Sequence, residues 1–111
     1  MYPFGYNCFI YTFQRTEAFD AWLIRLKDKK GKARFLARIR SAEAGNLGDC
    51  EPVGEGVSEM RIHYGPGYRV YFTRIGSVVY LLLSGGDKST QKRDIRRAIR
   101  MKQAIDEDGV K

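Results

Sequence analysis

Five residues with chemical potential fall at alternate positions of two extended runs: Glu59, Arg61 and His63 in the first, Arg69 and Tyr71 in the second. Gly65-Pro66-Gly67 lies between the runs and reads as a turn. Side chains two apart share a face of a strand, so a hairpin would gather all five on one side. Guanidinium forks match phosphate oxygens and stabilise the charge that grows in a phosphoryl transition state. A tyrosine can stack on a base or donate to a phosphate. Glu59, His63 or, after the next strand, Lys88 could move protons. The plainer alternative is an exposed sheet face laced with weak ion pairs such as Glu59–Arg61.

With Gly65-Pro66-Gly67 as the loop, Tyr64 faces Tyr68, Ile62 faces Val70 and Met60 faces Phe72 on an apolar side. His63 then faces Arg69, Arg61 faces Tyr71 and Glu59 faces Thr73 on the polar side. A slip of one residue would exchange the two faces. The next run, Val78-Val79-Tyr80-Leu81-Leu82-Leu83, is apolar on both faces. It predicts a central strand, with the helices on one side of the sheet.

The remaining elements must carry this ribbon. Phe9–Phe13 reads as a first strand along the free edge of the central one. Thr16 is an N-cap, followed by a helix whose Phe19, Trp22, Leu23 and Leu26 form one apolar stripe. Lys29-Lys30-Gly31-Lys32 is expected to break that helix. A second helix carries Phe35, Leu36, Ile39 and Ala42, with Arg34, Arg38 and Arg40 largely off the stripe, and Gly45-Asn46 ends it. Residues 45–56 read as a Gly-rich, weakly acidic loop. Val57–Tyr64, Tyr68–Arg74 and Ser77–Ser84 read as a three-stranded meander. Gly85-Gly86-Asp87-Lys88-Ser89-Thr90 leads into a last helix, whose Ile95, Ala98, Ile99 and Ile105 face one way among basic residues. The predicted class is α+β: N-terminal strand, helical hairpin, antiparallel meander, C-terminal helix.

At 111 residues the chain has room for one small domain. Its 20 Lys and Arg against 13 Asp and Glu give a net charge of +7, which favours polyanionic partners. The excess sits in residues 1–45 (+5) and 91–111 (+3), while 46–90 carry −1. No apolar run is long enough to span a bilayer, and the start has no secretory pattern, so a cytoplasmic location with no membrane partner is expected. Cys8 and Cys50 lack metal-like spacing and read as reduced thiols. A single histidine argues against a His-rich metal site or a His-dependent triad. The segment 85–90 lacks the spacing of a nucleotide-binding phosphate loop, and no recognition helix for DNA stands out.

The segments Gly67-Tyr68-Arg69-Val70-Tyr71-Phe72 and Leu83-Ser84-Gly85-Gly86-Asp87-Lys88-Ser89-Thr90-Gln91-Lys92-Arg93-Asp94-Ile95 resemble the RelE/ParE superfamily, and within it the HigB-like addiction-module killer branch. The resemblance covers roughly residues 12–105 of a single toxin domain, with Met1–Cys8 as an extension. It implies a RelE-like fold and the toxin of a type II toxin–antitoxin module, held by an antitoxin with a helix-turn-helix domain, HigA-like. RelE-like members cut mRNA on the ribosome, the 2′-hydroxyl attacking the adjacent phosphate without metal or cofactor. ParE-like members, the alternative, poison DNA gyrase without catalysis. Carried over by position, the resemblance gives Arg69 to the scissile phosphate and puts Lys88 and Arg61 on the RNA path. Lys92, Arg93 and Arg96 extend that basic surface. Some relatives place a catalytic tyrosine or histidine near the C-terminal end, where this chain has Asp94 and Ile95. The general acid is therefore open among Glu59, His63, Tyr71 and Lys88.

Overall fold

The computed structural model describes residues 12–76 and 79–107. The readings on Phe9–Tyr11, Met1–Cys8 and Ser77–Val78 lie outside them. Strand β1 (Thr12–Arg15) is followed by α1 (Glu17–Arg25) and α2 (Lys29–Glu43), then by β2 (Cys50–Gly54), β3 (Val57–Ile62), β4 (Tyr68–Ile75), β5 (Val79–Gly86) and α3 (Gln91–Glu107). The class is α+β. No helix among the described residues is long and apolar enough to cross a membrane.

Thr16 caps α1: its hydroxyl accepts from the Phe19 amide at 3.1 Å and donates to the Leu83 carbonyl at 2.7 Å. The cap thus also fastens the start of the helix to β5. Phe19 and Phe35 are buried, with Trp22, Leu23, Leu26, Leu36 and Ile39 packed around them. Each fully buried ring of this kind is worth about 1.5–3 kcal/mol of transfer free energy. The expected break at Lys29–Lys32 falls earlier, at Leu26–Asp28. Lys29–Lys32 is instead the first turn of α2, because the Asp28 carboxylate accepts from the Gly31 amide at 2.9 Å and starts a new helix. Gly31 is needed there, since a Cβ would sit 2.6 Å from the Tyr68 ring.

The sheet has five strands in the order β1-β5-β4-β3-β2, with β1 parallel to β5 and the other pairs antiparallel. The first strand does lie along the free edge of β5. Residues 45–56 are not all loop, however: Cys50–Gly54 forms β2 at the opposite edge. Glu55 (φ 54°) and Gly56 (φ 81°) make the left-handed turn that folds β2 back onto β3. An edge strand tolerates Pro52, which a central one would not.

The β3–β4 register is offset by two from the expected one. Ile62 pairs with Tyr68, Met60 with Val70, Arg61 with Arg69 and Glu59 with Tyr71. The loop runs from His63 to Gly67, closed by the Gly67 amide donating to the Tyr64 carbonyl at 3.1 Å. A shift of two preserves the faces, so the division into apolar and polar sides survives.

The helices are not all on one side. Helices α1 and α2 cover the face bearing Met60, Val70, Phe72 and Leu82. On the other face α3 packs Ile95, Ala98 and Ile99 against Val57, Tyr71, Leu81 and Leu83. A bulge in β5 opposite Tyr71–Phe72 puts Leu83 and Ser84 together across from Tyr71. The polar face is therefore half covered, and what remains open is its end near the β3–β4 turn.

Candidate functional site

Beneath the α3 cover lies a buried carboxylate. Glu59 is 0% exposed. Its Oε1 accepts from Arg61 Nε at 3.1 Å and lies 3.3 Å from Arg69 Nη1. Its Oε2 accepts from Gln91 Nε2 at 2.7 Å and from the Tyr71 hydroxyl at 3.3 Å. Strand alternation puts Glu59, Arg61, Arg69 and Tyr71 on one side, and the first turn of α3 supplies Gln91. A carboxylate this deep is tolerable only with its charge and lone pairs matched, as they are here. Burial pushes the Tyr71 hydroxyl well above the usual phenol range, and the neighbouring Glu59 charge pushes it further.

The rim is more acidic than the sequence led us to expect. Arg61 reaches past Glu59 to Glu51 at 2.5 Å and to Asp49 at 3.5 Å. The hydrogen bonds it donates to Glu51 and then to Glu59 raise its affinity for the proton further. His63 Nε2 lies 2.6 Å from Asp49 Oδ2, and this contact is the main reason the Asp49 carboxyl is held below its ordinary range. Asp49 and Glu51 reach the site because β2 is a strand beside β3.

Arg69 differs from Arg61. Its side chain is 12% exposed, and its Nε is buried without an acceptor among the described residues. It lines an open groove with His63, Tyr64, Gly65, Pro66, Gly67 and Lys88. Two loops build this groove, joined by the Lys88 amide donating to the Pro66 carbonyl at 3.4 Å. Gly65 (φ 57°) and Gly67 (φ 79°) give the first loop its left-handed bends.

The glycines before Lys88 have a separate reason. A Cβ on Gly85 would lie 2.5 Å from the Trp22 ring of α1, and one on Gly86 would collide with the Asp94 carboxylate of α3. They let helices approach both faces of β5 at its end. Asp87 then accepts from the Ser89 amide at 2.8 Å and Thr90 donates to Asp94 at 2.5 Å, starting the turn Lys88–Thr90 and α3. The Gly85–Thr90 segment is thus a junction of packing and capping that leaves Lys88 pointing outward and exposed.

The candidates sort by depth. Arg69, His63 and Lys88 share the open groove, and Arg61 joins Arg69 through Glu59. Lys92, Arg93 and Arg96 are exposed along α3, in a neighbouring groove that also contains Lys88. Glu59 and Tyr71 are buried and reach no open surface. Sequence reasoning missed Asp49, Glu51 and Gln91. The acidic turn-flanked segment before β3 was a signal for the first two; nothing local marked Gln91.

No protein-family profile matches the chain. The described architecture is similar to the free-state structure of a mutant of the E. coli toxin RelE, with a TM-score of 0.65. The alignment covers 83% of this chain and 97% of that one at 14% identity, so it establishes a RelE-like fold. In sequence, the chain is 46% identical over 90 residues to a Haemophilus influenzae protein described only as uncharacterized, covering 81% of this chain and 91% of that protein. The chain belongs to the same family as that protein.

Proposed function

We propose that the chain is the toxin of a type II toxin–antitoxin module, of the HigB-like branch, and that it cuts mRNA on the ribosome. The observation that carries this reading is the open groove in which Arg69 stands beside Lys88 and His63. The RelE-like fold and the net charge of +7 support it.

In the proposed reaction the Arg69 guanidinium takes the non-bridging oxygens of one phosphate. The adjacent ribose 2′-oxygen attacks phosphorus, forming a 2′,3′-cyclic phosphate as the bond to the 5′-oxygen breaks. One group takes the 2′-hydroxyl proton and another supplies a proton to the leaving 5′-oxygen. His63, oriented by Asp49, and Lys88 are the open-surface candidates for these transfers. Glu59 and Tyr71 act from beneath: Glu59 positions the two guanidiniums, and Tyr71 is locked neutral as a donor to Glu59. The chemistry calls for no metal or cofactor. Lys92, Arg93 and Arg96 hold the RNA backbone. In the cytoplasm a HigA-like antitoxin with a helix-turn-helix domain would cover this surface.

The alternative is a ParE-like, non-catalytic inhibitor of DNA gyrase. It is favoured by one fact: the sequence has no aromatic residue after Tyr80. Induction of the chain alone separates the two. New transcript 5′ ends within translated codons support cleavage. Intact transcripts with trapped gyrase–DNA complexes would replace it by the alternative.

A further inference from the structure

We infer that Arg34 and Tyr64 form a nucleobase-stacking subsite that continues the Arg69–Lys88 groove toward α2, so that the groove takes a run of single-stranded RNA. This rests on the RNA-cleaving reading above and extends it to residues that reading does not use.

The Arg34 guanidinium carbon lies 4.7 Å from the Tyr64 ring centroid, in stacking geometry. Both residues line a shallow groove together with Lys30, Ala33 and Ala37. Ala33 and Ala37 are one helical turn apart, so their methyl groups make a floor free of long side chains. Lys30 and Arg34, spaced the same way, make a cationic wall. The Tyr64 ring leans on the hydrophobic core. Its backbone is held at both ends, the Tyr64 amide donating to the Ile62 carbonyl at 2.8 Å and the Tyr64 carbonyl accepting from Gly67 at 3.1 Å. The platform is therefore ordered before any ligand arrives.

A ring, a guanidinium plane, a methyl floor and a cationic wall suit a flat apolar base attached to a phosphate. A free anion would use only the charges. Position along the surface adds to this. Tyr64 belongs both to this groove and to the Arg69–Lys88 groove, and Lys88 belongs both to that one and to the groove of Lys92, Arg93 and Arg96. The three grooves are therefore neighbours, with cations at intervals and the Arg34–Tyr64 pair at one end. That is the layout for a polyanion whose charges repeat along a chain of bases.

The test is to induce the wild-type chain, Tyr64→Phe, Tyr64→Ala and Arg34→Ala in turn and to map transcript 5′ ends quantitatively. Tyr64→Phe keeps the ring and is expected to cut more than Tyr64→Ala does. Tyr64→Ala and Arg34→Ala are expected to cut less by a factor on the order of 5–100, the usual worth of one stacked base, and to lose any base preference at one position beside the cut. Thermal melts check folding; Arg34 is exposed on its helix, so its variant remains informative even if Tyr64→Ala is unstable. Equal cutting at the same sites by Arg34→Ala and the wild type would overturn the subsite. So would unchanged cutting combined with weaker neutralisation by the antitoxin, which would make the groove a peptide-docking surface. Absence of cutting by the wild type would instead fail the parent reading, and the subsite with it.

Discussion

Arg61 and Arg69 stand directly opposite one another across the β3–β4 ladder, where like charges would repel, and both turn to the buried Oε1 of Glu59. Directly opposed like charges are destabilising unless compensated. The compensation is unequal. Arg61 meets Glu51 and Asp49 as well, whereas among the described residues Arg69 has only Glu59 as a carboxylate partner. Arg61 is therefore chiefly a strut that holds Glu59, and Arg69 is the guanidinium that also lines the open groove.

Glu59→Gln should destabilise the fold by about 3–5 kcal/mol, because it leaves the facing arginines without their shared buried countercharge. Urea unfolding of the variant measures this. A loss below about 1 kcal/mol, the value for an ordinary surface pair, would mean that Glu59 does not organise the site.

Gly86→Ala should loosen the docking of α3, since the added methyl overlaps the buried Asp94 carboxylate and forces it to shift. Limited proteolysis should then cut within α3 while Gly76→Ser, in open space, leaves the wild-type pattern. Gly76 has positive φ, so that control carries backbone strain but no clash with the described residues. A protease pattern for Gly86→Ala identical to that of the wild type would contradict the close approach.

Tyr68 donates to Asp28 at 2.8 Å. Burial first, and then Asp28, push its hydroxyl up to about 12. A group whose folded pKa is raised stabilises the fold fully below its unfolded value, and that stabilisation drains away as pH rises toward the folded value. For Tyr68 this window runs from about 10, the free phenol value, to about 12. Asp28 is the mirror case: the Gly31 amide, then Tyr68, lower it, so its stabilisation is present above the ordinary aspartate range and lost in stronger acid. Tyr68→Phe should flatten the alkaline limb of a stability–pH curve. Tyr71 is shifted in the same direction and leaves a residue of that limb. An unchanged limb in the variant would contradict the assignment to Tyr68.

Phe72→Ala should cost about 3 kcal/mol, the lower end for a buried ring, because one side of Phe72 borders a surface groove that can relax. Its ring meets Tyr80 edge-on at a centroid distance of 5.5 Å, a contact the variant also loses. Calorimetric or urea unfolding checks it; a cost under about 1 kcal/mol would place Phe72 outside the functional core of the sheet.

The polar and apolar faces of the β3–β4 ribbon were legible in the sequence because period-two alternation survives an even slip. The register was not: the hairpin loop closes through Tyr64 and Gly67, two residues longer than Gly65-Pro66-Gly67 suggests, which moves Arg61 opposite Arg69. Helix α1 was legible from Thr16 and its apolar stripe. Strand β2 was hidden because Pro52, Glu51 and the flanking glycines look like loop chemistry, and only an edge position makes them acceptable in a strand. The docking of α3 had a signal that the expected one-sided arrangement ignored. Leu81 and Leu83 on one side of β5, Leu82 on the other, require cover on both faces. That cover is what buries Glu59 and Tyr71 and separates them from the open-surface candidates.

The most direct test of the site is induction of Arg69→Ala and Arg69→Lys beside the wild type, with growth and transcript 5′ ends followed together and each variant's folding confirmed by its melt. We predict growth arrest and new 5′ ends for the wild type, both lost in folded Arg69→Ala and largely lost in Arg69→Lys, which keeps the charge but not the fork. A folded Arg69→Ala that still arrests growth and cuts the same transcripts would contradict the account.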